Sequence, residues 1–178
     1  MPPLVRDQAA ITIRQAEASD IPILRELADK TWRESYAAML TPEQFDYMLV
    51  RMYAPETIAR ELAEGVIWEL ALLADKAIGF HSCTHVTGER RLKLNKLYLL
   101  PEQQGNGFGQ ALLARVHELA ASLDAHEIWL QVNKRNTRAI TAYERAGYHV
   151  ERPAVFDIGS GFVMDDFVMT RPVASAEA

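Results

Sequence analysis

One segment constrains this chain more than any other: an extended run that stops in a glycine-rich turn and reopens at once as its longest amphipathic helix. It reads Lys96-Leu97-Tyr98-Leu99-Leu100-Pro101-Glu102-Gln103-Gln104-Gly105-Asn106-Gly107-Phe108-Gly109-Gln110-Ala111-Leu112-Leu113. The first amides of a helix have no partner inside it, and they sit at the positive end of the helix dipole. Residues without side chains let a phosphate approach that backbone closely. Glycines at 105, 107 and 109 suit an anion site of this kind. A turn that needs positive φ angles explains one or two of them and accounts less readily for three at alternate positions. Two other phosphate loops fail on spacing. The dinucleotide fingerprint requires a third glycine where Gln110 stands, and no Gly-Lys followed by Ser or Thr occurs in the chain.

The elements around this loop follow from periodicity. Ile11 to Arg14 alternates as a half-buried strand does, and a helix follows with Ser19 or Asp20 as its cap and Ile21, Leu24, Leu27, Ala28 and Trp32 on its apolar side. Thr41-Pro42-Glu43-Gln44 opens a second helix and Ala54-Pro55-Glu56 a third, which should stop at Gly65. Segments 66–74, 77–86 and 91–100 read as an antiparallel meander. Helical period then returns over 107–122, a strand passes through Ile128, Leu130 and Val132, and a short helix runs from Asn136 to Ala146 and ends at Gly147. Two last extended pieces, 148–150 and 162–169, flank Gly159-Ser160-Gly161. The expected fold is α+β (mixed α/β), one sheet with helices on both faces. Residues 11–171 form a single domain between a loose N-terminus (1–10) and a loose tail (172–178).

Composition narrows the functional classes. Of the 178 residues, 24 are acidic and 19 basic, a formal charge of -5, so the bulk charge does not fit a nucleic-acid partner and any phosphate must be held locally. Cys83 is the single cysteine and has no internal disulfide partner, and Met1 to Asp7 lacks the apolar run of a signal peptide; together these predict a reducing, cytoplasmic setting. The longest apolar stretches fall far short of the roughly 20 residues that cross a bilayer, which predicts no membrane partner.

Gln104-Gly105-Asn106-Gly107-Phe108-Gly109 resembles the Q/R-x-x-G-x-G/A acetyl-CoA motif of the GNAT N-acetyltransferase superfamily. Downstream, Ile128 to Asn133 followed by Asn136, Ala139, Tyr143, Gly147 and Tyr148 resembles the family's second cofactor motif. More narrowly, Trp32 to Tyr36, Lys96 to Pro101 and Asp157 to Phe167 look like the PaiA-like polyamine acetyltransferase branch. The resemblance implies a mostly antiparallel sheet, splayed where the cofactor enters. Acetyl-CoA is the implied co-substrate. It would be held by the backbone along Leu97, Tyr98 and Leu99, by the amides of Gln104, Gly105, Asn106, Gly107, Phe108 and Gly109, and by Asn136, Ala139 and Tyr143. Plain packing is the competing use of the leucines, and helix capping that of Asn136.

Tyr143 corresponds to the family tyrosine that points at the cofactor sulfur, implying a general acid toward the departing thiolate; an aromatic at helical spacing is also an ordinary core residue. The attacking amine must lose a proton, and Glu34, His81 and Asp166 are candidates to take it, each with an ordinary polar role as the alternative. Asp165 and Asp166 point to opposite faces of a strand, so at most one can face the site. Trp32 and Tyr36, one turn apart, are candidates for a wall of the acceptor pocket. His81, Cys83 and His85 share a strand face without an evident fourth ligand, so no metal is expected. Arg115, Lys134, Arg135 and Arg138 read as a solvated face from which one or two side chains reach the cofactor's ribose phosphate. The reading is acetyl transfer from acetyl-CoA to a small primary amine, a polyamine such as spermidine first among them. A non-catalytic CoA-binding sensor and a protein or peptide N-acetyltransferase stand as alternatives. An exposed last strand at 162–169 would offer an edge for a homodimer.

Overall fold

A computed structural model of the protein describes residues 10–174. Seven strands form one sheet, β1 (Thr12–Gln15), β2 (Ile67–Leu73), β3 (Lys76–Val86), β4 (Arg91–Leu99), β5 (Glu127–Asn133), β6 (His149–Gly159) and β7 (Phe162–Pro172), in the order β1-β2-β3-β4-β5-β7-β6. Only β4 and β5 run parallel. The five helices are α1 (Ile21–Tyr36), α2 (Pro42–Tyr53), α3 (Pro55–Ala63), α4 (Phe108–Ser122) and α5 (Thr137–Arg145). On one face, α1 to α3 enclose an aromatic cluster of Trp32, Tyr36, Phe45, Tyr53, Trp68 and Phe80. On the other, α4 supplies Leu113, Val116 and Ala120 against Leu92, Leu94, Ile128 and Leu130. None of the described helices is long and apolar enough to cross a membrane.

Local signals place most helix ends. The Thr41 hydroxyl accepts from the Gln44 amide (3.2 Å) ahead of Pro42, and Gly65 adopts φ +88° after α3. The Gln44 side chain does not close the reciprocal cap; it donates to the Val163 carbonyl (3.0 Å). Asp20 precedes α1 but caps nothing in it. Its carboxylate accepts from the Glu17 amide (2.8 Å) and pairs with Arg14, which ties the turn to β1.

The C-terminal half departs from the sequence reading in two places. The extended piece at 148–150 is the start of an eleven-residue β6, and β7 lies between β5 and β6 from Asp166 onward, so Asp166 to Met169 is no sheet edge and the homodimer edge expected over 162–169 is not a continuous one. The outer strand is β6. Its Glu151, Arg152 and Pro153 are what an edge tolerates, and they hid it from a search for alternation. Consecutive Phe167, Val168 and Met169, the first half-buried and the other two fully buried, mark a strand covered on both faces over this stretch. The tail expected over 172–178 lies partly outside the described residues, but Val173 is buried and donates its amide to the His126 carbonyl (2.8 Å). Of the expected loose N-terminus, residues 1–9 lie outside the described range.

Gly79 sets the depth at which the end of β4 seats on β3. A Cβ at this position would lie 2.5 Å from the Tyr98 carbonyl oxygen and 2.7 Å from Leu99 Cδ2. Backbone has to move to admit it, so Gly79→Ala is expected to destabilise by about 2 kcal/mol, as overpacking does. Urea denaturation measures this, and an unchanged midpoint would show that β4 yields freely.

Candidate active site

The cleft arises from one extra residue. β4 and β5 pair only from Arg91 opposite Glu127 to Leu94 opposite Leu130, and beyond these pairs the strands part. Against β3, Cys83 faces Leu94 and Ser82 faces Lys96, which leaves Asn95 bulged. The Asn95 amide donates to Thr84 Oγ1 (2.8 Å) and Ser82 Oγ (3.2 Å), and such a bulge bends its strand away from the neighbour. Residues 95–99 therefore keep one backbone edge without a strand partner, as does β5 from Gln131 to Asn133. The resulting cleft is lined by Leu97, Tyr98 and Leu99 on one side, by Gln131 and Val132 on the other, and by Gln104, Gly109, Asn136, Ala139 and Tyr143 at its mouth.

The glycine turn lies at one end of that cleft. Gly105 and Gly107 take φ +81° and +82°, which glycine reaches without strain, and Gly107 precedes the first turn of α4. Gly109 is helical and has room for a Cβ, whose nearest neighbour would be Leu99 Cδ1 at 3.6 Å. Gln104 Nε2 donates to the Leu99 carbonyl (3.3 Å), and Asn106 Nδ2 to the Gln103 carbonyl (3.4 Å), so both side chains brace the turn. Phe108 packs in the small cluster of Leu99 and Leu112 beneath α4. The Asn136 side chain caps α5 by accepting from the Ala139 amide (3.2 Å), and the residue also lines the cleft, so capping and ligand contact are compatible.

Tyr143 projects from α5 into the cleft with its ring 5.7 Å from that of Tyr148. Burial, then the proximity of Tyr36 and Tyr148, raises its phenol well above the usual range and keeps it protonated. Tyr36 enters from α1, its hydroxyl 3.1 Å from that of Tyr98; burial raises both phenols. Trp32 does not line the cleft. It is 1% exposed, packs behind Tyr36 with its ring tilted at 43° and 4.7 Å away, and donates its indole N–H to the Tyr53 hydroxyl (3.0 Å). It holds Tyr36 in place and forms no wall.

The three candidate bases fall in three environments. Glu34 is exposed and borders a depression beside Arg135 that adjoins the cleft, sharing Ser35, Gln104, Asn136 and Arg138 with it. His81 is sealed: its Nε2 donates to Glu69 Oε2 (2.8 Å), Cys83 Sγ lies 3.6 Å from its Nδ1, and Arg115 from α4 binds Glu69 through two nitrogens (2.9 and 2.8 Å). Burial alone would raise the Glu69 carboxyl, but the hydrogen bonds from His81 and Arg115 outweigh it and hold it at about 2. Burial pushes the Cys83 thiol far up, which makes it inert as a nucleophile. Asp166 is 5% exposed on the α1 side of β7, while Asp165 points outward to Lys134 (2.5 Å). Among the described residues, no group of three His, Cys, Asp or Glu side chains is arranged to hold a metal.

The basic side chains expected on a solvated face are mostly engaged. Arg115 binds Glu69, and Arg135 reaches across to the carbonyls of Ala38 (3.2 Å) and Met39 (3.3 Å), joining the loop after α1 to the loop that carries Asn136. Arg138 lines the cleft. Sequence spacing carries no sign of the Arg135 or Arg115 contacts, whose partners lie 97 and 46 residues away.

Comparison with known proteins places this geometry. The sequence model described as the Acetyltransferase (GNAT) family matches residues 21–148. An uncharacterized N-acetyltransferase of Mycobacterium tuberculosis is 37% identical over 83 residues, 47% of this chain and 53% of its own length, so the match spans about half of that relative. The spermidine N(1)-acetyltransferase of Thermoplasma acidophilum is 26% identical over 161 residues, 88% of this chain and 96% of its own. The crystal structure of the PaiA N-acetyltransferase from the same organism, in complex with coenzyme A, superposes with a TM-score of 0.77 at 23% identity, covering 92% of this chain and 99% of that one.

Proposed function

Because the chain belongs to the GNAT family of acetyltransferases, we propose that it moves an acetyl group from acetyl-CoA directly to a small primary amine, with spermidine-like polyamines the first acceptor class. The single observation that carries this reading is the cleft opened by the Asn95 bulge, with a glycine turn at one end and a protonated Tyr143 in its wall. A pantetheine arm is a chain of amides, and the free backbone edge at 97–99 offers it the partners a neighbouring strand would supply. The amides of 105–109 at the start of α4 would hold the pyrophosphate, with Arg138 adding charge where the cofactor runs past α5.

Within the cleft the chain's residues would orient the thioester and exclude water from it. Amine nitrogen attacks the carbonyl carbon and the carbon–sulfur bond breaks, leaving negative charge on sulfur for Tyr143 to meet with a hydrogen bond. The polyamine preference is supported by the Thermoplasma relative, which aligns over nearly its whole length, and by the acidic net charge of this chain.

Thiol release from acetyl-CoA by the purified chain, measured across spermidine, spermine, amino acids, aminoglycosides and a basic peptide, tests the proposal. Spermidine- or spermine-dependent release is the expected result. Selective release with another amine would retain the chemistry and replace the acceptor class. Tight CoA binding with no release from any acceptor would favour the sensor reading.

A further inference from the structure

We propose that Asp166 is the proton acceptor for the incoming amine; this deepens the acetyltransfer reading and rests on it. None of the three candidate groups lines the cleft directly: Glu34 is exposed to solvent at its rim, and His81 has no exposed surface and is committed to Glu69. Asp166 is different in kind: its Oδ1 is buried without a hydrogen-bond partner among the described residues. Folded chains seldom leave a buried carboxylate oxygen unpaired, and an unpaired one is a site for an ammonium or for a water bridging to it.

Its position fits the task. Asp166 lies opposite Asn133, in the part of β5 that has already left β4. It shares a strand face with Met164, which packs against the α1–α2 cluster, so it lies on the side of the sheet from which Tyr36 enters the cleft. The charge of Asp166 is felt at the Tyr36 phenol, which it raises. The other charged neighbours are occupied. Lys134 pairs with Asp165, and Lys93 from β4 places its Nζ 4.7 Å from the centre of the Trp129 ring. Asn133 Oδ1 accepts from the Arg135 amide (2.9 Å), and the facing residue of β6 is Ala154, which has no charge to offer. Burial, reinforced by Asp165 and only partly opposed by Lys134 and Lys93, raises the Asp166 carboxyl to about 6, which leaves it ionised at neutral pH and basic enough to accept a proton.

The step balances. The ammonium gives one proton to the Asp166 carboxylate, and the freed nitrogen lone pair forms the C–N bond. As the C–S bond breaks, its electron pair leaves with sulfur. The second proton lost by nitrogen ends on that sulfur as the thiol, and Asp166 returns its proton to solvent before the next turnover.

Asp166→Asn, assayed with spermidine or with whichever amine of the panel turns over fastest, tests the proposal. Expected are a fall in kcat/KM of about 100-fold, loss of the acidic limb near pH 6, and recovery of rate with rising pH as free amine replaces the base. Coenzyme A affinity should stay within about twofold by calorimetry, since no cofactor contact is removed. A second readout is independent of turnover: an ionised, unpaired, buried carboxylate destabilises, so the variant's Tm should exceed that of the wild type at pH 8 and match it at pH 4. A kcat/KM within threefold of wild type with the acidic limb retained overturns the proposal, as does a Tm lowered at both pH values, which would mark Asp166 as a structural acceptor. A wild-type chain that turns over no amine removes the acetyltransfer reading and this step with it.

Discussion

Tyr143→Phe is expected to lower turnover by about 100-fold and to leave coenzyme A affinity within about twofold, the size that loss of one proton donor gives. The phenol ring packs on Tyr148 and lines the cleft, and phenylalanine keeps that surface, so the variant isolates the hydroxyl. The raised phenol refines its role. A thiol of ordinary pKa about 8.5 is a stronger acid than this tyrosine, so complete proton transfer from Tyr143 to sulfur runs uphill. In the proposed reaction the hydroxyl would act by hydrogen-bonding the sulfur as its charge grows, and the proton that ends there would come from the amine. The decrease should therefore appear in kcat, with the KM for acetyl-CoA and the Tm little changed. Steady-state kinetics beside a calorimetric CoA titration separates the two. An unchanged kcat with a good acceptor would reduce Tyr143 to a wall of the cleft.

Glu69→Ala should cost about 3–5 kcal/mol of stability, the range for breaking one side of a buried pair. Glu69 is 4% exposed, bound by His81 on one side and by two nitrogens of Arg115 on the other, and its loss leaves a sealed imidazole and a guanidinium without their acceptor. The same network makes stability depend on acid. The folded carboxyl sits at about 2 against an ordinary 4.5, so its contribution is fully present above about pH 4.5 and is lost as pH falls toward 2. Urea denaturation of wild type and Glu69→Ala at pH 7 and pH 3 checks both statements: the gap between them should narrow at the lower pH. A gap that does not change would place the stabilisation in packing. Because Arg115 rides on α4, loss of the network should also loosen the helix that follows the glycine turn.

What was legible in the sequence is what short-range chemistry determines. The glycine turn, the Thr41 cap and the helix carrying Tyr143 each follow from residues within a few positions of one another, and each stands where the spacing put it. The partner of a strand is another matter. β7 sits inside β6 where it pairs with both neighbours, and there the adjacent Val168 and Met169 are buried on opposite faces, which alternation cannot detect. Trp32 and Tyr36 lie on one helix face, yet only Tyr36 reaches the cleft, because Tyr53 from α2 captures the indole. Among Glu34, His81 and Asp166 the sequence had no means to choose, since the choice depends on which of them the sheet leaves buried and unpaired.

The bulge at Asn95 also bears on how this protein can vary through descent. A substitution in the strand from Leu94 to Leu99 changes a side chain. A deletion of the bulged residue leaves Lys96 opposite Ser82 and Tyr98 opposite Phe80, removes the bend between Leu94 and Lys96 and lets β4 close along β5. Length in this strand is thus under tighter restraint than identity: variants of the lineage can exchange residues along the cleft, but the number of residues between Leu94 and the glycine turn is inherited whole or the cleft is lost.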